Sequence, residues 1–100
     1  MATFTKTQLK ALRELAATFY ALKDVVRLEM LSVLAQRECT VNELAEALDK
    51  SQPLISWHLR RLKTTGLVKM RRSGRETYCS LDREVIQHHQ QQFQQLIGMK

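Results

Sequence analysis

Cysteine is scarce in this 100-residue chain: Cys39 and Cys79 are the only two. They are too few and too isolated for the disulfide framework of a secreted domain, so reduced thiols are the expected state. Long apolar runs are missing as well. Nowhere is there one able to span a bilayer, and the opening residues MATFTKTQLK lack the uninterrupted apolar core of a signal peptide. Both absences point to a cytoplasmic protein with no membrane partner. No repeat or low-complexity linker divides the chain, although the stretch from His88 to Gln95 is rich in Gln. Catalytic constellations are also lacking. There is no pocket-forming Gly-rich loop and no paired carboxylate, and the neighbours Asp49, Ser51 and His58 serve caps and packing, so no enzyme is expected.

What the chain has is positive charge. A net charge of +6 and a pI near 9.8 favour a polyanionic partner, with DNA, RNA and an anionic membrane surface all open on composition alone. One hundred residues make one domain, which buries only about two-thirds of its unfolded surface, so a second copy would help it.

Helical periodicity runs through the first two-thirds. From 7 to 20, Leu9, Leu12, Ala16 and Phe19 recur at helical spacing, with Leu15 widening the stripe. Asp24 is placed to cap a second helix, to about Gln36, with Val26, Met30, Val33 and Leu34 on its buried face. Thr40 and Glu43 form a capping-box pair ahead of a short third helix, in which Val41, Leu44, Ala45 and Leu48 recur at i, i+3, i+4 and i+7. Asp49 and Lys50 leave only a tight connection to the next helix, the pattern of a helix-turn-helix over 40–66.

That next helix, SQPLISWHLRRLKTTG, has both ends marked. Ser51 suits the N-cap, Pro53 the first turn and Gly66 the left-handed residue past the end. At about 100° per residue, Ile55, Leu59 and Leu62 share one stripe, while Pro53, Ser56, Trp57, Arg60 and Thr64 face away. His58, beside Leu59, reads as a structural histidine. Beyond Gly66 the period changes, and 67–81 reads as a hairpin with Arg71, Arg72 and Arg75 around a Ser-Gly turn. Those arginines suit phosphate or a groove, or else protect a sheet edge. Asp82 then caps a last helix, 82–98, with Val85, Ile86, His89, Phe93, Leu96 and Ile97 on a stripe that extends past a compact core. It and the first helix, 7–20, are the expected dimer interface.

Several of these motifs, in order and at matching separations, resemble the ArsR/SmtB family of bacterial winged-helix repressors. They are Arg27-Leu28, Glu43-Leu44-Ala45, Ser51-Gln52-Pro53, Ser56 with His58-Leu59, Gly66-Leu67-Val68 and the segment GRETYCSL from Gly74 to Leu81. The resemblance covers roughly residues 20–82. It implies a mainly α fold with a small β-hairpin wing, a winged helix-turn-helix of about five helices and two to three short strands spanning 1–100. It also implies a homodimer that binds a palindromic double-stranded operator and blocks transcription until an inducer releases it. Two recognition helices would then enter successive major grooves about 34 Å apart. Carried over by position, Gln52, Ser56 and Trp57 fall where the family meets the major groove, and Arg71, Arg72 and Arg75 fall in its wing. The chemistry of the residues agrees. Gln52 can bond adenine in pairs, Arg60 can reach guanine or phosphate, and Ser51, with the free N–H groups ahead of Pro53, can hold a phosphate. For Trp57 two readings stand: packing on thymine methyls, or packing against the wing or a neighbouring helix.

The family's usual metal ligands are absent. Thr40-Val41-Asn42 occupies the place of its Cys-Val-Cys unit, with Cys39 one residue too early, and Asp82-Arg83-Glu84 replaces its Asp-x-His pair. His88 and His89 are adjacent, about 100° apart on a helix, which suits one ion poorly. No metal or other cofactor is expected, and the inducer is left unspecified. In winged helices the segment before the third helix often pairs with the second wing strand, which would bring Cys39 near Cys79. A disulfide or persulfide switch and a pair of small core thiols are both open there.

Overall fold

The computed structural model describes residues 3–99; residues 1, 2 and 100 of the expected 1–100 domain lie outside them. Thr5 opens the first element, its hydroxyl accepting from the Gln8 N–H while the Gln8 side chain accepts from the Thr5 N–H. This capping box starts α1 (Lys6–Leu22). Asp24 caps α2 (Val25–Leu34), accepting from the N–H groups of Val26 and Arg27. A two-residue strand β1 (Cys39–Thr40) leads directly into α3 (Val41–Leu48), where Thr40 and Glu43 cap reciprocally as their spacing predicts. The remaining elements are α4 (Gln52–Thr64), β2 (Val68–Ser73), β3 (Glu76–Leu81) and α5 (Arg83–Leu96).

The strands form one antiparallel sheet in the order β1-β3-β2. Five helices and this small sheet are the expected architecture, with its third strand contributed by the segment ahead of α3. Met30, Leu44, Ile55, Leu59, Leu62, Cys39 and Cys79 are fully buried and hold α2, α3, α4 and the sheet around one core.

The first helix is only partly covered within the chain, and one expectation, at the hairpin turn, needs correction. In α1 the residues buried within the chain are Leu15, Thr18 and Ala21, whereas Ala16 and Phe19 of the expected stripe are exposed. α1 packs on α2 and α5, and even Phe19, which meets Phe93 of α5, keeps much of its ring uncovered. Thr18 tolerates burial because its hydroxyl donates to the Glu14 carbonyl at 3.1 Å. At the hairpin, Ser73 pairs with Glu76, so the turn is Gly74-Arg75 rather than Ser-Gly. Gly74 takes φ +62 at the first central position, the conformation that a two-residue turn of this kind requires and that glycine adopts freely.

Candidate nucleic-acid interface

The helix-turn-helix is built by α3 and α4, and its turn depends on Asp49, which stops α3 in the left-handed region at φ 52. Asp tolerates that conformation better than most residues. Two residues later Ser51 caps α4, its hydroxyl accepting from Leu54 N–H, and Pro53 sits in the first turn, where no backbone donor is needed. Ile55, Leu59 and Leu62 have no exposed surface and anchor α4 to the core. Ser51, Gln52, Pro53, Trp57 and Arg60 are exposed on the other side, with Ser56 half-buried among them.

Two residues that sequence reasoning passed over join this surface. Leu54 is 39% exposed. Arg61 lays its guanidinium 3.5 Å from the centroid of the Trp57 ring. The signal was the helical spacing of Leu54, Trp57 and Arg61, at i, i+3 and i+7. Trp57 is 41% exposed, so its indole belongs to the surface. It stacks under Arg61 and meets His58 edge-to-face at 4.9 Å.

The wing places its arginines unequally. Arg71 donates to the Glu38 carboxylate at 2.7 Å and lies over the ring of its cross-strand partner Tyr78 at 4.8 Å. Arg72 turns its Nε toward the Gly74 carbonyl at 3.3 Å, and Arg75 stands in the turn itself. Among the described residues Arg60, Arg72 and Arg75 have no carboxylate within ion-pair distance, so their charge faces outward uncompensated.

Beneath the surface, His58 is buried and its Nδ1 lies 3.5 Å from Nη1 of the buried Arg27. This is the structural role expected of it. On the far side, α5 meets the end of α4: His89 Nε2 is 3.3 Å from the Thr65 carbonyl. Cys39 and Cys79 are direct partners in the β1–β3 register, as expected, and neither has exposed surface. Burial pushes the Cys79 thiol up to about 11 and raises that of Cys39 too, which disfavours the thiolate that a redox reaction needs. Among the described residues no three His, Cys, Asp or Glu side chains come together as a metal site.

The family model described as "Bacterial regulatory protein, arsR family" matches residues 24–70, which run from the cap of α2 into β2. The solved structure of an ArsR-like transcriptional regulator from Rhodococcus sp. RHA1 is 30% identical, with TM-score 0.80 over 89% of this chain and 83% of that one. The chain belongs to the bacterial ArsR family. This ArsR-family chain is also similar to a transcriptional repressor SmtB homolog of Synechocystis, at 40% identity over 79% of this chain and 66% of the relative. A further likeness is to the homodimeric winged helix-turn-helix DNA-binding domain of Mb0332 from Mycobacterium bovis. There the identity is 29% and the TM-score 0.78, over 98% of this chain and 90% of that one. The ArsR-family chain spans between 50% and 66% of the length of the first curated relatives it matches. No helix among its described residues is long and apolar enough to cross a membrane.

Proposed function

We propose that the protein is a sequence-specific DNA-binding repressor that acts in the cytoplasm as a homodimer on a palindromic operator. The observation that carries this reading is the division of α4 into two faces. Ile55, Leu59 and Leu62 are fully buried, while Gln52, Trp57 and Arg60 stand outward on a helix whose start is capped by Ser51. A helix held on one side and polar on the other is what a major groove accepts. In this reading Gln52, Ser56 and Arg60 meet base edges, and Ser51 and Pro53 set the helix start on a phosphate. Trp57 and Leu54 pack on thymine methyls, and Arg72 and Arg75 grip the flanking backbone. Arg71 reaches the backbone only by leaving Glu38.

Dimerisation through α1 and α5 is supported by the surface they leave uncovered. Phe4, Phe19, Phe93, Leu96 and Ile97 are all at least 38% exposed. The radius of gyration is 15.4 Å, against about 13 Å for a closed domain of this length. Selection of bound fragments from random duplexes, followed by titration of the selected site, tests the whole reading. Gln52→Ala and Arg60→Ala should each cost about 1–3 kcal/mol on the selected site and relax base preference. Equal, small losses on selected and random duplexes would remove the base-reading role.

A further inference from the structure

Arg27 is a cation with 4% of its surface exposed, and among the described residues no carboxylate lies within ion-pair distance of it. Burying such a group is costly unless hydrogen bonds hold it in place. Two contacts do so. Its Nε donates to the carbonyl of Ala21, near the end of α1, at 2.6 Å, and its Nη1 faces Nδ1 of His58, in the middle of α4, at 3.5 Å. A guanidinium nitrogen can only donate, so Nδ1 of His58 is the acceptor. That role leaves the ring neutral, with its proton on Nε2. One side chain of α2 therefore ties the end of α1 to the helix that carries Gln52, Trp57 and Arg60.

We propose that Arg27 and His58 are positioning residues for α4: neutral His58 accepts from Arg27 and holds the reading helix against the α1–α2 corner, and protonation of His58 releases it. The proposal rests on the DNA-binding reading for its consequence, though not for the contact itself. A second proton on His58 removes the acceptor and sets two cations 3.5 Å apart in a site with little water.

The charged groups that bear on His58 are Asp24 at the cap of α2, Arg27 within α2 and Arg61 within α4. Burial is the largest influence and pulls the imidazole below its ordinary 6.5. Asp24 pulls it up, while Arg27 and Arg61 push it further down. The ring is thus neutral near pH 7, and the lock opens as pH falls through the lowered value. One proton weakens DNA binding by at most about tenfold per pH unit below that point.

Trp57 supplies an internal probe. It is the sole tryptophan, with its ring 4.9 Å from that of His58, and an imidazolium at that distance quenches indole emission. Acid titration of the DNA-free protein should give a quenching step with its midpoint below 6.5, absent in His58→Asn, whose Oδ1 stands where Nδ1 was. Operator affinity between pH 7.5 and 5.5 should fall in the wild type and stay level in His58→Asn. Arg27→Gln should bind more weakly at pH 7.5, with its quenching midpoint moved up by loss of the neighbouring cation. The same quenching step in His58→Asn, or parallel affinity profiles in the two proteins, would overturn the proposal. If no duplex is bound at any pH, the DNA-binding reading fails, and amide exchange along α4 decides the contact separately. Exchange accelerated at pH 5.5 beyond the intrinsic rate in the wild type but not in His58→Asn supports it, and equal exchange overturns it.

Discussion

Arg71 and Glu38 are joined at 2.7 Å, tying the first strand of the wing to the residue ahead of β1. Both side chains are partly exposed, so the pair adds little to stability. Its consequence is directional: the Arg71 guanidinium is drawn back over Tyr78, while Arg72 and Arg75 have no carboxylate within ion-pair distance among the described residues.

The three wing arginines should therefore differ on DNA. Arg72→Ala or Arg75→Ala should weaken binding to all duplexes and lower the salt slope by about one unit. Arg71→Ala should leave the slope nearly unchanged. Binding constants measured over a range of salt concentrations check this, and three equal changes in slope would contradict the assignment.

The facing thiols of Cys39 and Cys79 make stability sensitive to alkali. Burial raises both, Cys79 from an ordinary 9.0 to about 11. The folded chain keeps these protons after the unfolded chain has lost them, so stability is complete below pH 9 and declines as pH rises toward 11. Urea midpoints measured from pH 8 to 10.5 should fall progressively, and less steeply in Cys79→Ala. A midpoint that stays level in the wild type would show that the thiols ionise freely.

Phe19 of α1 and Phe93 of α5 meet edge-to-face, with ring centroids 5.0 Å apart, yet both remain substantially exposed. If α1 and α5 close a dimer, Leu96→Glu or Phe93→Glu should shift sedimentation from dimer to monomer and abolish tight operator binding, because a charge would be buried at the seam. An unchanged sedimentation coefficient would move the interface elsewhere.

Gly66 and Gly74 are both left-handed, at φ +79 and +62, but a Cβ on Gly66 would stand 3.2 Å from Val85 Cγ1 while one on Gly74 would meet nothing. Alanine at either position incurs about 1–2 kcal/mol of backbone strain. Gly66→Ala should cost more than Gly74→Ala, since it also presses the end of α4 away from α5. Chemical denaturation of the two variants separates the terms, and equal losses would mean that Val85 yields freely.

Local chemistry was enough to place most elements. The Asp24 cap, the Thr40–Glu43 box, the Ser51 cap and the stripe of Ile55, Leu59 and Leu62 involve residues within a turn or two of one another, so period and spacing carry them. The Thr5–Gln8 box is equally local, and it starts α1 ahead of the expected 7. Which face of α1 packs was not legible, because an exposed stripe awaiting a partner and a buried one have the same period.

The sequence by itself determined the order of the helices, the capped α4 and its outward Gln52, Trp57 and Arg60, because these follow from propensity, capping and periodicity along one segment. Only the tertiary structure decided that Arg71 turns inward to Glu38, that Arg61 covers Trp57, and that Arg27 is buried with Ala21 and His58. The Arg71–Glu38 and Arg27–His58 contacts join segments distant in the chain, and their partners are chosen by how the helices and sheet pack. Arg61 is a helical neighbour of Trp57, but the rotamer that lays one over the other is not written in their spacing.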